Sequence, residues 1–92
     1  MSLPSFAEFR ARALAEGFDE VLERRWPAQT VLEFHTHPFA LKALVVEGEM
    51  WLETEQEARH LTPGDSFELA RDLPHAERYG KDGAIYWVAR RN

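Results

Sequence analysis

From residue 18 onward, prolines, glycines and small polar clusters cut the chain into short runs that are apolar or alternate apolar with polar. This punctuation constrains the fold more than any other feature. The runs are Val21–Trp26, Thr30–His37, Ala40–Val46, Glu49–Thr54, Ala58–Thr62, Ser66–Leu69, Pro74–Tyr79 and Ala84–Ala89. Runs of this length with period-two character are strands, and about eight of them at this spacing predict an all-β sandwich or barrel. The breaks carry turn chemistry. Glu47-Gly48 reads as a two-residue hairpin turn. Glu55-Gln56-Glu57 and Gly80-Lys81-Asp82-Gly83 read as longer connections. Pro63-Gly64 suits a type II turn, with glycine supplying the positive φ.

The segment before residue 18 is different. Ser5 and Glu8 have capping-box spacing, alanines and Leu14 follow, and Gly17 suits the left-handed residue that closes a helix. A short helix is predicted at about residues 6–16, with Phe6, Phe9 and Ala13 on one face. Its expected role is to cover one side of the β structure. The organisation expected is an N-terminal helical extension over residues 1–17 and a single β-domain over residues 18–92.

Charge and composition narrow the partners. Eleven basic residues stand against sixteen acidic ones, a formal charge of -5, which argues against a basic face for nucleic acid or anionic membrane. The longest apolar run, Ala84–Ala89, is far short of a bilayer span. No charged patch followed by an apolar stretch opens the chain, so no signal peptide is read. There is no cysteine, which removes disulfides, thiolate metal sites and thiol nucleophiles together and fits a reducing compartment. A cytoplasmic protein is expected.

Three of the four histidines occupy suggestive positions. His35 and His37 lie two apart on a predicted strand and so point to one face. His75 follows Pro74 at the start of another strand, which a barrel can bring beside the first. The pattern by itself fits either a solvated face or a pair aimed inward. Glu33 has the same parity as the pair, and Tyr79 shares the parity of His75 and Glu77. Glu33 and Tyr79 are therefore the nearby candidates for proton transfer, neither of them a strong general base. His60 is expected to face solvent, and Arg59 and Arg78 to make surface ion pairs unless they clamp an anion. Phe39, Met50, Leu52, Phe67, Leu69 and one of Tyr86 and Trp87 are expected inside. Trp51, of opposite parity to Met50 and Leu52, is expected outside, covered by the N-terminal helix or by a second subunit.

His35-Thr36-His37-Pro38, Leu44–Glu49, Leu61-Thr62-Pro63-Gly64-Asp65 and Leu73-Pro74-His75, in that order and spacing, resemble the two motifs of the cupin family over about residues 24–90. The resemblance implies a double-stranded β-helix, that is, a jelly-roll barrel. It also implies that His35, His37 and His75 hold a divalent transition metal inside that barrel. Imidazole ligation suits iron, zinc, nickel or copper and does not choose among them.

The sequence departs from the family pattern at three places. Leu41 stands where the family has a fourth, glutamate ligand, Tyr79 where it has asparagine, and Ala70 where a proline is frequent. The resemblance thus implies a three-histidine site, or a site that has lost its metal, with no carboxylate beside it. Such a centre would keep the full dication charge and attract an anionic ligand. The function implied is binding of, or action on, a small anionic molecule, dioxygenase-like with iron or isomerase-like or hydrolytic with zinc or nickel. The alternative is a non-enzymatic ligand-binding or sensor barrel, since the chain also resembles the effector-binding barrel of arabinose-type regulators. No helix-turn-helix follows the last predicted strand, which disfavours a regulator of DNA. Resemblance to cupins also implies a homodimer.

Overall fold

The structure is a computed structural model and describes residues 3–92, so the first two residues of the expected extension lie outside it. One helix, α1 (Phe6–Ala15), precedes six strands: β1 (Glu20–Trp26), β2 (Val31–His35), β3 (Ala40–Thr54), β4 (Ala58–Leu61), β5 (Ser66–Leu69) and β6 (His75–Arg91). All pairings are antiparallel.

The helix starts as its sequence dictates. The Ser5 hydroxyl accepts from the Glu8 amide at 3.1 Å, and the Glu8 carboxylate accepts from the Ser5 amide at 2.9 Å. Two of the amides orphaned at a helix start are thereby satisfied. Phe9 and Ala13 are buried against Ala89, and the Phe6 and Phe9 rings lie 5.5 and 5.9 Å from that of Trp87. The helix therefore covers Trp87, on the outer face of one sheet. Trp51 lies elsewhere, half-buried with His60 stacked on it at 4.7 Å and the Arg78 guanidinium 4.3 Å from its ring centre.

The predicted eight strands become six because two breaks are not breaks. The expected hairpin at Glu47-Gly48 does not exist: β3 runs through it, with register shifts either side of Gly48. The expected connection at Gly80–Gly83 likewise lies inside β6. Both long strands bend at the same place, where Gly48 pairs with Ala84. Glycine is required there. Gly48 has φ +76°, and a Cβ on it would fall on the Gly83 carbonyl oxygen and within 2.9 Å of the Ala84 Cα. A bulge with a left-handed glycine sharpens the bend of a strand without ending it.

Each long strand thus serves two sheets. In the first, the order is β1, the C-terminal half of β6, the N-terminal half of β3, then β5. In the second it is β2, the N-terminal half of β6, the C-terminal half of β3, then β4. Side chains alternating inward from both sheets make one core, including Val45, Met50, Leu52, Leu61, Phe67 and Tyr79. Of the residues expected inside, Met50, Leu52, Phe67, Leu69 and Tyr86 are buried in it, and Trp87 faces the helix instead. The β3–β4 hairpin closes with the Thr54 amide donating to the Glu57 carbonyl at 2.8 Å. Gly64 has φ +98°, and the Asp65 carboxylate accepts from the Thr62 amide at 2.9 Å, which holds its pKa below the ordinary value.

Candidate metal centre

Three imidazoles converge inside this barrel. His35 ends β2, His37 lies in the loop after it, and His75 begins β6 directly opposite His35 in register. Their ring centres are 4.4 Å (His35 to His75), 4.9 Å (His35 to His37) and 5.1 Å (His37 to His75) apart. One donor atom from each lies within 4.8 Å of the others.

Local structure fixes all three rings. The Nδ1–H of His35 donates to the Glu33 carbonyl at 2.7 Å, and that of His75 to the Leu73 carbonyl at 2.9 Å. A carbonyl only accepts, so Nδ1 carries the proton in both rings and Nε2 of the neutral ring is left as an electron-pair donor. The His37 ring stacks on Phe39 at 4.9 Å, and its carbonyl accepts from the Asp72 amide at 2.8 Å. That last bond ties the loop leading into His75 to the loop carrying His37. Burial pushes the pKa of His37 down, and repulsion from His75 and His35 adds to the effect.

A carboxylate does stand at the centre, contrary to the expectation from the sequence. Glu77, buried and two residues after His75, places Oε2 3.4 Å from Nε2 of His35 and 3.8 Å from Nε2 of His75. Its other oxygen accepts from the Tyr79 hydroxyl at 2.6 Å. The Tyr79 ring stacks on Trp26 at 5.3 Å, and the Trp26 indole donates to the Tyr86 hydroxyl at 3.1 Å. Burial raises the pKa of both tyrosines well above the phenol value, so Tyr79 serves as a neutral donor to Glu77. Tyr79, a candidate for proton transfer by its parity with His75, is buried and gives its hydroxyl proton to the bond with Glu77. Position 41, where the family pattern places a carboxylate, remains Leu41, paired with Leu69 and Arg90.

Glu33 is not on the histidine face. Leu32 pairs with Glu77 and His35 with His75, so β2 spends three steps where β6 spends two. This bulge shifts the parity, turning Leu32 and His35 inward and leaving Glu33 and Phe34 exposed. Glu33 contributes its backbone carbonyl to His35.

The basic residues also differ from expectation. Arg78 lies over Trp51 outside the barrel, and Arg59 donates to the Ser66 carbonyl at 3.2 Å. The two arginines that do line the histidine cavity are Arg24 and Arg90. The cavity holds about 90 Å³ and has aromatic walls from Trp26, Phe39 and Tyr86.

The donor set suits a divalent cation. Electron-pair nitrogens on rings fixed by Nδ1–H bonds to backbone carbonyls, with a buried carboxylate beside them, form the type of arrangement that holds zinc or a related transition metal. Fold and site together define a small two-sheet β-barrel with an internal histidine cluster. Neither a family model nor a curated protein matches the sequence. Solved structures do match. One, from the crystal structures of the DMSP lyases RdDddP and RnDddQII, has a TM-score of 0.72 at 22% identity over 78% of this chain and 37% of that chain. The DMSP lyase DddQ from Ruegeria pomeroyi has a TM-score of 0.67 at 29% identity over 78% of this chain and 36% of that one. An RmlC-like cupin from Shewanella frigidimarina has a TM-score of 0.67 at 21% identity over 78% and 65%. The chain has the cupin fold, and it spans little more than a third of the length of the two DMSP lyases. No described helix is long and apolar enough to cross a membrane.

Proposed function

We propose that this protein is a small metal-binding cupin that binds, and acts on, a small anionic molecule at a centre made by His35, His37 and His75. The observation that carries the reading is the convergence of three imidazole donors within 4.8 Å, two of them with the tautomer fixed by a backbone carbonyl. Iron, zinc, nickel and copper all suit the nitrogens. When bound, such an ion polarises an oxygen of the ligand or lowers the pKa of a bound water. Glu77 supports the reading further: one of its oxygens faces two of the imidazoles while Tyr79 holds the other. It offsets part of the dication charge and provides a proton acceptor at the centre, a role for which Glu33 is too far out and Tyr79 has the wrong acidity. The presence of that acceptor favours chemistry over simple sensing.

Metal content of protein purified without a chelating tag, followed by zinc titration, tests the proposal. The expected result is about one ion per chain, the stoichiometry of a single set of three imidazole ligands. Affinity should fall as pH drops below about 6.5, where imidazoles ordinarily take up protons that compete with metal. For the metal-free fold the sign is the same. A histidine whose pKa is lowered by folding, as in His37, binds its proton more readily in the unfolded chain, so stability falls as pH drops below the unfolded value. A chain that neither carries nor takes up zinc, iron or nickel at neutral pH overturns the proposal.

A homodimer in the cytoplasm is part of this reading. What supports the dimer is an apolar strip on the outer face of the second sheet, where Val31 and Phe34, 62% and 50% exposed, lie beside Trp51. Phe34→Asp is expected to shift the sedimenting species from dimer to monomer, and a parent chain that sediments as a monomer contradicts it.

A further inference from the structure

The cavity beside the histidines has a positive side that the metal reading does not use. Inward positions on the first sheet face the histidines across the barrel, and two of them are arginines. Arg24 on β1 sits opposite Tyr86 in register, and Arg90 lies near the end of β6. Charged side chains rarely point into a barrel of this size without a partner. Arg24 has its guanidinium 5.0 Å from the Trp26 ring centre and makes no hydrogen bond or ion pair among the described residues. Arg90 gives one amino nitrogen to Glu20 at 3.2 Å and lies 4.6 Å from the Phe39 ring centre. Its Nε is buried and has no hydrogen-bond partner. A buried N–H donor without an acceptor is costly in a folded protein and uncommon. Here it borders a cavity.

We infer that Arg24 and Arg90 form a carboxylate-recognition subsite in the histidine-lined cavity, and that the natural ligand is a short carboxylic acid bearing a second oxygen donor. The inference deepens the proposed function and rests on it for the second donor, which would meet the metal held by the three histidines. Size sets the class. A cavity of about 90 Å³ corresponds to roughly three waters at their liquid volume, room for a two- to four-carbon acid. Charge sets it too. With Glu77 already offsetting part of the metal's charge, preference for an anion falls to the guanidinium groups, whose planar donors match a carboxylate. The walls from Trp26, Phe39 and Leu41 leave the rest of the ligand in apolar surroundings and exclude larger hydrated anions.

Calorimetric titration of the zinc-loaded full chain with glycolate, and with its neutral amide glycolamide, tests the inference. Glycolate is expected to bind at least tenfold tighter than glycolamide. Arg24→Gln and Arg90→Gln should each weaken glycolate by about 10- to 100-fold, the scale of a lost charge-assisted hydrogen bond. Zinc affinity, measured separately, should not fall. Should Arg90→Gln fail to fold, Arg90→Lys keeps the charge and loses the fork, and a weakened affinity for glycolate is still expected. Equal binding of acid and amide, no glycolate binding, or variants that bind glycolate as the parent does would each overturn the subsite. Failure of the metal reading shows differently, as absence of zinc uptake. The titration is then run on the metal-free chain, where arginine-dependent glycolate binding still supports the subsite and its absence overturns it.

Discussion

Gly48→Ala is expected to destabilise the chain by more than about 4 kcal/mol, a loss at the exceptional end for one residue, and to leave much of it unfolded. A domain of this size has on the order of 5–14 kcal/mol in all. Two penalties combine at Gly48. Its φ of +76° is unfavourable for any residue with a Cβ, and that Cβ would fall on the Gly83 carbonyl oxygen, which is backbone and cannot rotate away. Gly83 faces the Trp26 carbonyl in the same manner, at φ +73°. The strands that would have to part are β3 and β6, and every other strand pairs with one of those two. Gly64→Ala is the control. Its φ of +98° carries the same kind of backbone penalty, but the nearest atom to an added Cβ is the Leu3 side chain at 3.9 Å. About 1–2 kcal/mol is expected there. Urea denaturation of the two variants reads the difference, and equal losses would mean that the sheet crossing is not closely packed.

His75→Ala is expected to lower affinity for zinc by at least about a thousandfold, and Glu77→Gln by about 10- to 100-fold, the range for a group that supports metal ligands. His75 is 2% exposed, and its ring lies 4.4 and 5.1 Å from the other two, so its loss opens the ligand set on its buried side. Glutamine keeps the size of Glu77 and an acceptor for the Tyr79 hydroxyl but removes the charge that faces His35 and His75. Competition against a chelator of known affinity measures both. A His75→Ala chain that binds zinc as tightly as the parent would show that the ligands lie elsewhere.

Much of this molecule was legible in the order of its residues, and the failures share one cause. The capping box at Ser5 and Glu8, the turn at Glu55–Glu57 and the outward Trp51 all follow from local chemistry, and all are present. Gly48 and the Gly80–Gly83 segment read as breaks in the sequence because glycine beside charged residues usually marks one. What makes them bends inside continuous strands is the close approach of β3 to β6, and that is tertiary. The bulge in β2 is also invisible locally. Strict alternation from His35 selects Glu33, whereas one extra residue in β2 turns Glu33 outward, and the carboxylate beside the rings comes from Glu77 on β6. The signal for Glu77 was available in its shared parity with His75. Arg24 and Arg90 carry no signal of their own, because a charged residue on a short strand reads as solvent-facing until the partner sheet is known.

The most direct test of the central claim is anomalous diffraction from crystals of the full chain grown with zinc, recorded at the metal's absorption edge. The account predicts a single strong peak bounded by the rings of His35, His37 and His75, about 2.0–2.1 Å from a nitrogen of each. A peak elsewhere, or a cluster of imidazoles with no anomalous density between them at saturating zinc, would contradict it.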